Sequence, residues 1–185
     1  LARGTGSATG ALRAVVALPL VMPPVVAGVA LLAAFGRRGL VGRHLDDLGL
    51  ALPFTTAGSV VAAAFVALPL FVLAMEAGFR GYDSSLDETA SALGADRWYR
   101  FRHVTLPILG PQLAAAFGLA WARALGEFGA TITFAGNRPG VTQTMPLAIY
   151  EALQSNWDSA VAMSLAMMAA SLAALFVARR RFDPA

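Results

Sequence analysis

Long apolar stretches alternate with short polar ones along this chain. Crossing a bilayer takes on the order of 20 apolar residues in a helix. Four stretches have about that length: Ala14 to Phe35, about Thr56 to Ala77, about Ile108 to Leu125, and Ser159 to Val177. The pattern predicts an all-α integral membrane protein, a helical bundle of about four visible spans. In the first stretch Pro19, Pro23 and Pro24 remove helical donors and crowd the preceding carbonyls, which predicts a broken or kinked entry. Such a break is either a simple kink or part of the lining of a translocation path, with Pro23 and Pro24 as candidate liners. The second stretch is rich in Ala and Val, and small residues let helices approach closely, so it is expected to be an interior helix. Pro69 lies inside it, and Glu76 near its end can reach the interface or pair with Arg80. Met163, Met167 and Met168 in the last stretch read as packing filler rather than a metal path.

The polar stretches are unequal. Gly36 to Pro53 is a connection carrying Arg37, Arg38, Arg43, His44, Asp46 and Asp47. Asp87 to Pro107, DETASALGADRWYRFRHVTLP, is longer, charged and amphipathic. Here Asp87 is expected to cap a short helix with Glu88 in its first turn, where acidic groups suit the helix dipole. Gly94 permits a bend. Asp96 then caps a second short helix carrying Trp98, Tyr99 and Phe101 among Arg97, Arg100 and Arg102, until Pro107 disfavours helix at Leu106. Such an island is too polar to span and reads as a docking surface; an interfacial amphipathic loop is the plainer alternative. Further on, in RALGEFGATITFAGN, Arg123 and Glu127 stand four apart, a spacing that predicts a shared helix face and an ion pair. That pair is either a structural lock or a contact for a substrate.

Composition supports the membrane reading and excludes several chemistries. The chain is 57% hydrophobic and 14% charged, against about 25% charged in soluble domains. It has no cysteine and no lysine. Disulfides, thiolate catalysis and a Gly-x-x-x-x-Gly-Lys-Ser/Thr phosphate loop are therefore impossible within it, so any ATP would be hydrolysed by another polypeptide. His44 and His103 fall in different loops, and no His/Asp/Glu set has the spacing of a metal site. An intramembrane hydrolase using Ser59, Ser164 or Ser171 would need a histidine at the same depth, and neither histidine lies in a span. A non-transporting membrane scaffold remains open on composition alone.

Glu88-Thr89-Ala90, Gly94, Val104 and Leu106-Pro107 resemble, at matching offsets, the signature of the membrane subunits of binding-protein-dependent ABC importers. Thr89 departs from the usual alanine, a small-for-small change. The resemblance implies that residues 83–107 form a cytoplasmic coupling loop seated in a cleft of a partner ATPase, with Glu88, Thr89, Ala90, Leu93, Gly94, Ala95, Trp98, Leu106 and Pro107 as coupling residues. LPLVMPPVVAGVALLAAFGRRG, then Gly126 to Thr131, Gly136-Asn137 and Thr142-Gln143-Thr144, look like the molybdate permease pattern. Sulfate permeases typically read Gly-Glu-Tyr-Gly-Ser where this chain has Phe128 and Ala130-Thr131, and tungstate relatives share much of the segment. What this implies is a homodimer of permease subunits, a cytoplasmic ABC ATPase dimer that binds ATP and Mg, an external oxyanion-binding protein, and no cofactor or nucleic acid on this chain. Arg123, Glu127 and Thr131 join Pro23 and Pro24 as translocation-path candidates. The whole chain, 1–185, is expected to be a single transmembrane domain. No signal peptide is visible, and because such relatives carry further spans before this point, the chain is expected to be N-terminally incomplete.

Charge placement gives a topology. Starting from a cytoplasmic N-terminus with Arg3 and Arg13, four spans put Asp87 to Pro107 and Arg179-Arg180-Arg181 together on the cytoplasmic side of a bacterial or archaeal cytoplasmic membrane. Arg37, Arg38 and Arg43 then fall outside, partly offset by Asp46 and Asp47, in a short basic loop that would attract an anion.

Overall fold

A computed structural model describes residues 7–182. Arg3 lies outside the described residues, as do the side chains of Arg179 to Arg181, on which part of the expected topology rests. The described chain is helical, with no strand among the described residues. The first expected span is broken: α1 covers Ser7–Val21 and α2 Pro24–Phe35. Pro24 forces Pro23 into extended backbone, φ −56° and ψ 137°, and then serves as the first residue of α2, where its missing N–H costs nothing. Gly36 to Pro53, expected as a plain connection, holds a short helix α3, Gly42–Asp47, and an Arg37–Asp46 ion pair at 3.7 Å.

Helix α4, Thr56–Arg80, starts from a Thr55 cap whose hydroxyl accepts from Gly58 N–H at 3.1 Å. Its 25 residues extend about 37 Å, enough to cross a hydrocarbon core. It is followed by α5, Ser84–Ala92, and α6, Arg97–Arg100. A five-residue π turn, Phe101–Thr105, then runs directly into α7, Leu106–Leu125. The expected break at Pro107 is absent, since Leu106 is helical at φ −66° and ψ −43°. The wide turn is the reason. Leu106 N–H bonds back to the Phe101 carbonyl five residues earlier, so the ladder has already slipped by one residue where Pro107 has no hydrogen to give.

Beyond α7 come α8, Gly129–Phe134, α9, Met145–Ser155, and α10, Trp157–Phe182. Among the described residues, three helical stretches are long and apolar enough to cross a membrane: Thr56–Arg80, the continuous Arg97–Leu125, and Trp157–Ala174. The first expected span is instead two shorter apolar helices running antiparallel to α4, with Arg13 beside Glu76 and Ala27 and Leu31 in one cluster with Ala62 and Val66. The apolar window of α4 is 33% buried and that of α10 only 6%, which makes α4 the interior helix and α10 a peripheral one. Met168 is accordingly exposed, not packed.

Helices α2, α4 and α8 share a core in which α2 and α8 pack closely. Ala27, Leu31, Ala62, Val66, Ala130 and Phe134 form the core, and the Phe134 ring meets Phe35 edge-on at 6.5 Å. A Cβ on Gly28 would lie 2.5 Å from Thr133 Cβ, and one on Gly129 would lie 2.6 Å from Pro24 Cβ, so the two backbones touch through glycine. Gly28→Ala is expected to lower thermal stability in detergent by about 1–3 kcal/mol through overpacking. Gly110→Ala, where nothing lies within 4 Å of the added carbon, should not. Equal melting temperatures for the two variants would refute this contact.

Candidate functional site

The polar island takes its shape from local hydrogen bonds. Asp83, not Asp87, caps α5: its Oδ1 accepts from Ser85 N–H at 2.9 Å. Hydrogen bonds from the Ser85 backbone, and then from its side chain, hold the Asp83 carboxyl below its ordinary value. The cap therefore contributes above the usual carboxylate range and is lost as pH falls through the lowered value. Asp87 lies within the first turn, and its Oδ1 is free to accept from Tyr82 Oη at 3.2 Å and Thr105 Oγ1 at 3.4 Å.

At the other end of α5, Gly94 adopts φ +86° and Ala95 N–H reaches back to the Ala90 carbonyl at 3.0 Å, the left-handed closure that glycine permits without a Cβ clash. Asp96 then caps α6 as expected, accepting from Tyr99 N–H at 2.8 Å. Glu88, Thr89, Leu93, Trp98, Leu106 and Pro107 are exposed, with Leu93 at 83% and Trp98 at 67%; Ala90 and Ala95 are half-buried. Trp98 packs on Phe101 at 5.7 Å and Tyr99 stacks on His103 at 4.2 Å, presenting aromatic surface between arginines. The expected coupling residues of α5 and α6 thus form one projecting arm at the end of the bundle where α4 stops and α7 starts.

The opposite end holds the second candidate group. Arg123 Nη1 lies 2.8 Å from Glu127 Oε2, so the expected ion pair forms, although not by a shared helix face. Helix α7 ends at Leu125, and Glu127 reaches back from the connection to α8. Its other oxygen accepts Ala130 N–H at 2.8 Å, so one carboxylate, only 2% exposed, joins the end of α7 to the start of α8. Pro24 abuts Gly129 beside this junction, Pro23 is exposed, and Thr131 is wholly buried with an unpartnered hydroxyl oxygen. Four of the five path candidates therefore gather around the start of α8.

Two further sets of polar contacts go beyond the sequence reading. Glu76 pairs with Arg80 at 2.9 Å as foreseen, but also with Arg13 Nε at 3.2 Å, an ion pair not aligned as a hydrogen bond, and its side chain is 4% exposed. Nothing in spacing links residues 13 and 76. Glu151 accepts from Asn137 Nδ2 at 3.0 Å and Gln143 Nε2 at 2.7 Å, so two residues of the permease-like segment hold α9. The serines of the hydrolase alternative bond to backbone carbonyls instead: Ser59 to Thr142 at 3.4 Å, Ser164 to Ala160 at 2.8 Å and Ser171 to Met167 at 2.9 Å.

Residues 2–185 match the family described as binding-protein-dependent transport system inner membrane component. The chain belongs to this family. It is a multi-pass membrane subunit of a transport system, and the hydrolase and scaffold alternatives fall away. Among relatives, it is 47% identical over 181 residues to a molybdenum transport system permease protein of Mycobacterium tuberculosis, covering 97% of this chain and 69% of that one. The corresponding Escherichia coli protein is 43% identical over 174 residues, covering 94% and 76%. The fold is shared with the crystal structure of a bacterial ABC transporter involved in the import of the acidic polysaccharide alginate. The TM-score is 0.68 over 97% of this chain and 68% of that chain, at 18% identity.

Within this inner membrane component, Glu127→Ala is expected to cost about 3 kcal/mol, the lower end for breaking a buried pair, because Arg123 is 32% exposed. Reversing both charges should recover only part of that loss, since an arginine at 127 cannot accept Ala130 N–H. Thermal denaturation of the purified variants in detergent checks this, and full recovery by the reversed pair would exclude the second role of Glu127.

Proposed function

We propose that this chain is the permease subunit of an ATP-driven importer that moves molybdate across the cytoplasmic membrane of a bacterium or archaeon by alternating access. The chain acts as a single transmembrane domain in a homodimer. Two cytoplasmic ATPase subunits, which bind ATP and Mg, clamp the α5–α6 arms, and an external binding protein delivers the oxyanion. The observation that carries this is the arm itself: an exposed apolar and basic projection, set by Gly94 at φ +86°, at the junction of the two most extensively paired spans. The names of the relatives supply the substrate. A dianion is costly to desolvate in lipid, so its path between subunits must be wet or polar, and a deep cluster of unpaired arginines would trap it. Arg123, paired and close to the far end of α7, meets that requirement without becoming a trap.

In vesicles containing the complex with its ATPase and binding protein, molybdate uptake should exceed that of tungstate and sulfate. Preferred uptake of either competitor would replace the substrate assignment. Gly94→Leu should abolish uptake while the protein still inserts, because a branched side chain in left-handed backbone is strained by about 1–2 kcal/mol and displaces the arm. Normal uptake by the assembled variant would refute the coupling role.

The topology is tested separately. Cysteines introduced singly at Arg100 and Arg180 should be labelled only from the cytoplasmic side, and one at Asp46 only from outside. External labelling at Arg100 would remove the ATPase from contact with the arm.

A further inference from the structure

Helix α5 buries no residue, and its packing neighbours are α6 and the π turn. A helix held so loosely by apolar contact cannot transmit displacement through packing alone, so its polar attachments decide whether it moves with the bundle. The principal polar attachment is the Asp87 carboxylate. Its Oδ1 accepts from Tyr82 Oη at 3.2 Å and from Thr105 Oγ1 at 3.4 Å, and the two hydroxyl oxygens lie 3.5 Å apart. Tyr82 stands two residues past the end of α4, Thr105 stands one residue before α7, and both are buried. Arg100 Nη1 adds a bond to the Asp87 carbonyl at 3.3 Å. With Asp83 already capping α5, Asp87 is not needed as a cap.

We propose that Asp87 is the positioning residue that fastens the projecting arm to α4 and α7 at once, so that displacement of the arm moves both spans as a unit. This rests on the importer reading for its consequence, since the arm is displaced by a partner only if a partner clamps it. A carboxylate suits the task because it is acceptor-only and takes two hydroxyl donors on one oxygen. The hydroxyls shape the tie: Tyr82→Phe and Thr105→Val remove both donors while leaving Asp87 and side-chain shape in place.

The complex with its ATPase and binding protein in vesicles provides the test. In Tyr82→Phe/Thr105→Val, molybdate moved per ATP hydrolysed should fall about tenfold or more, since each of the two hydrogen bonds lost to the carboxylate is worth about that factor, with hydrolysis itself retained. Thr105→Ser, which keeps a donor, should behave as wild type. The chain has no cysteine of its own, so spin labels on cysteines introduced at the exposed Leu93 and Leu119 report the distance between arm and α7. That distance distribution should broaden in the double variant and stay narrow in Thr105→Ser. An unchanged distribution, or broadening with an unchanged ratio of uptake to hydrolysis, overturns the proposal. If the wild-type complex moves no molybdate and the distribution still broadens, the tie stands and the substrate assignment is what fails.

Discussion

Backbone that leaves helical geometry inside a membrane bundle must find its hydrogen-bond partners within the protein, and the break at Met22 to Pro24 is where this chain meets that constraint. Met22 N–H returns to the Leu18 carbonyl at 3.2 Å, and Ala27 N–H to the Pro23 carbonyl at 3.1 Å, so the turn is closed on both sides by helical bonds. What the break changes is direction. It aims α2 at α8, and the two can touch only because Gly28 and Gly129 present no Cβ. Glu127 then supplies an acceptor for the buried first turn of α8, and Arg123 neutralises it. Proline break, glycine contact and buried ion pair are one local solution to the same scarcity of water.

The same scarcity governs the other end of the bundle. Glu76 is buried between Arg13 and Arg80, tying the middle of α1 to the end of α4. Removing one partner of such a group strands a charge, so each buried carboxylate constrains the helices around it more than its net worth in stability suggests. The bundle thus carries a paired carboxylate near each end of its central helices, and apolar packing between. Beyond the Glu76 end, α5 and α6 project with apolar and basic side chains exposed, held to α4 and α7 by polar contacts. In the proposed importer, that division suits a subunit whose membrane part moves as stiff rods while the arm engages a partner.

Much of this was legible in residue order. The length and composition of the apolar stretches determined the helical membrane fold, because a backbone in lipid has few ways to satisfy its own polar groups. The prolines determined that the first span breaks, and Gly94 and Asp96 determined the bend and cap of the arm, because these effects act within one turn. The Arg123–Glu127 and Glu76–Arg80 pairs were visible as four-residue spacings. Other features belong to the tertiary structure. Whether Asp83 or Asp87 caps α5 depends on which carboxylate the Tyr82 and Thr105 hydroxyls claim, and those residues meet only once α4 and α7 lie side by side. Pro107 sits inside a helix because a π turn shifts the hydrogen-bond register before it, a choice that local propensity opposes. Arg13 finds Glu76 across 63 residues, and Glu127 finds Ala130 N–H only because α7 has already ended, since such contacts are set by how helices pack and not by how residues are spaced.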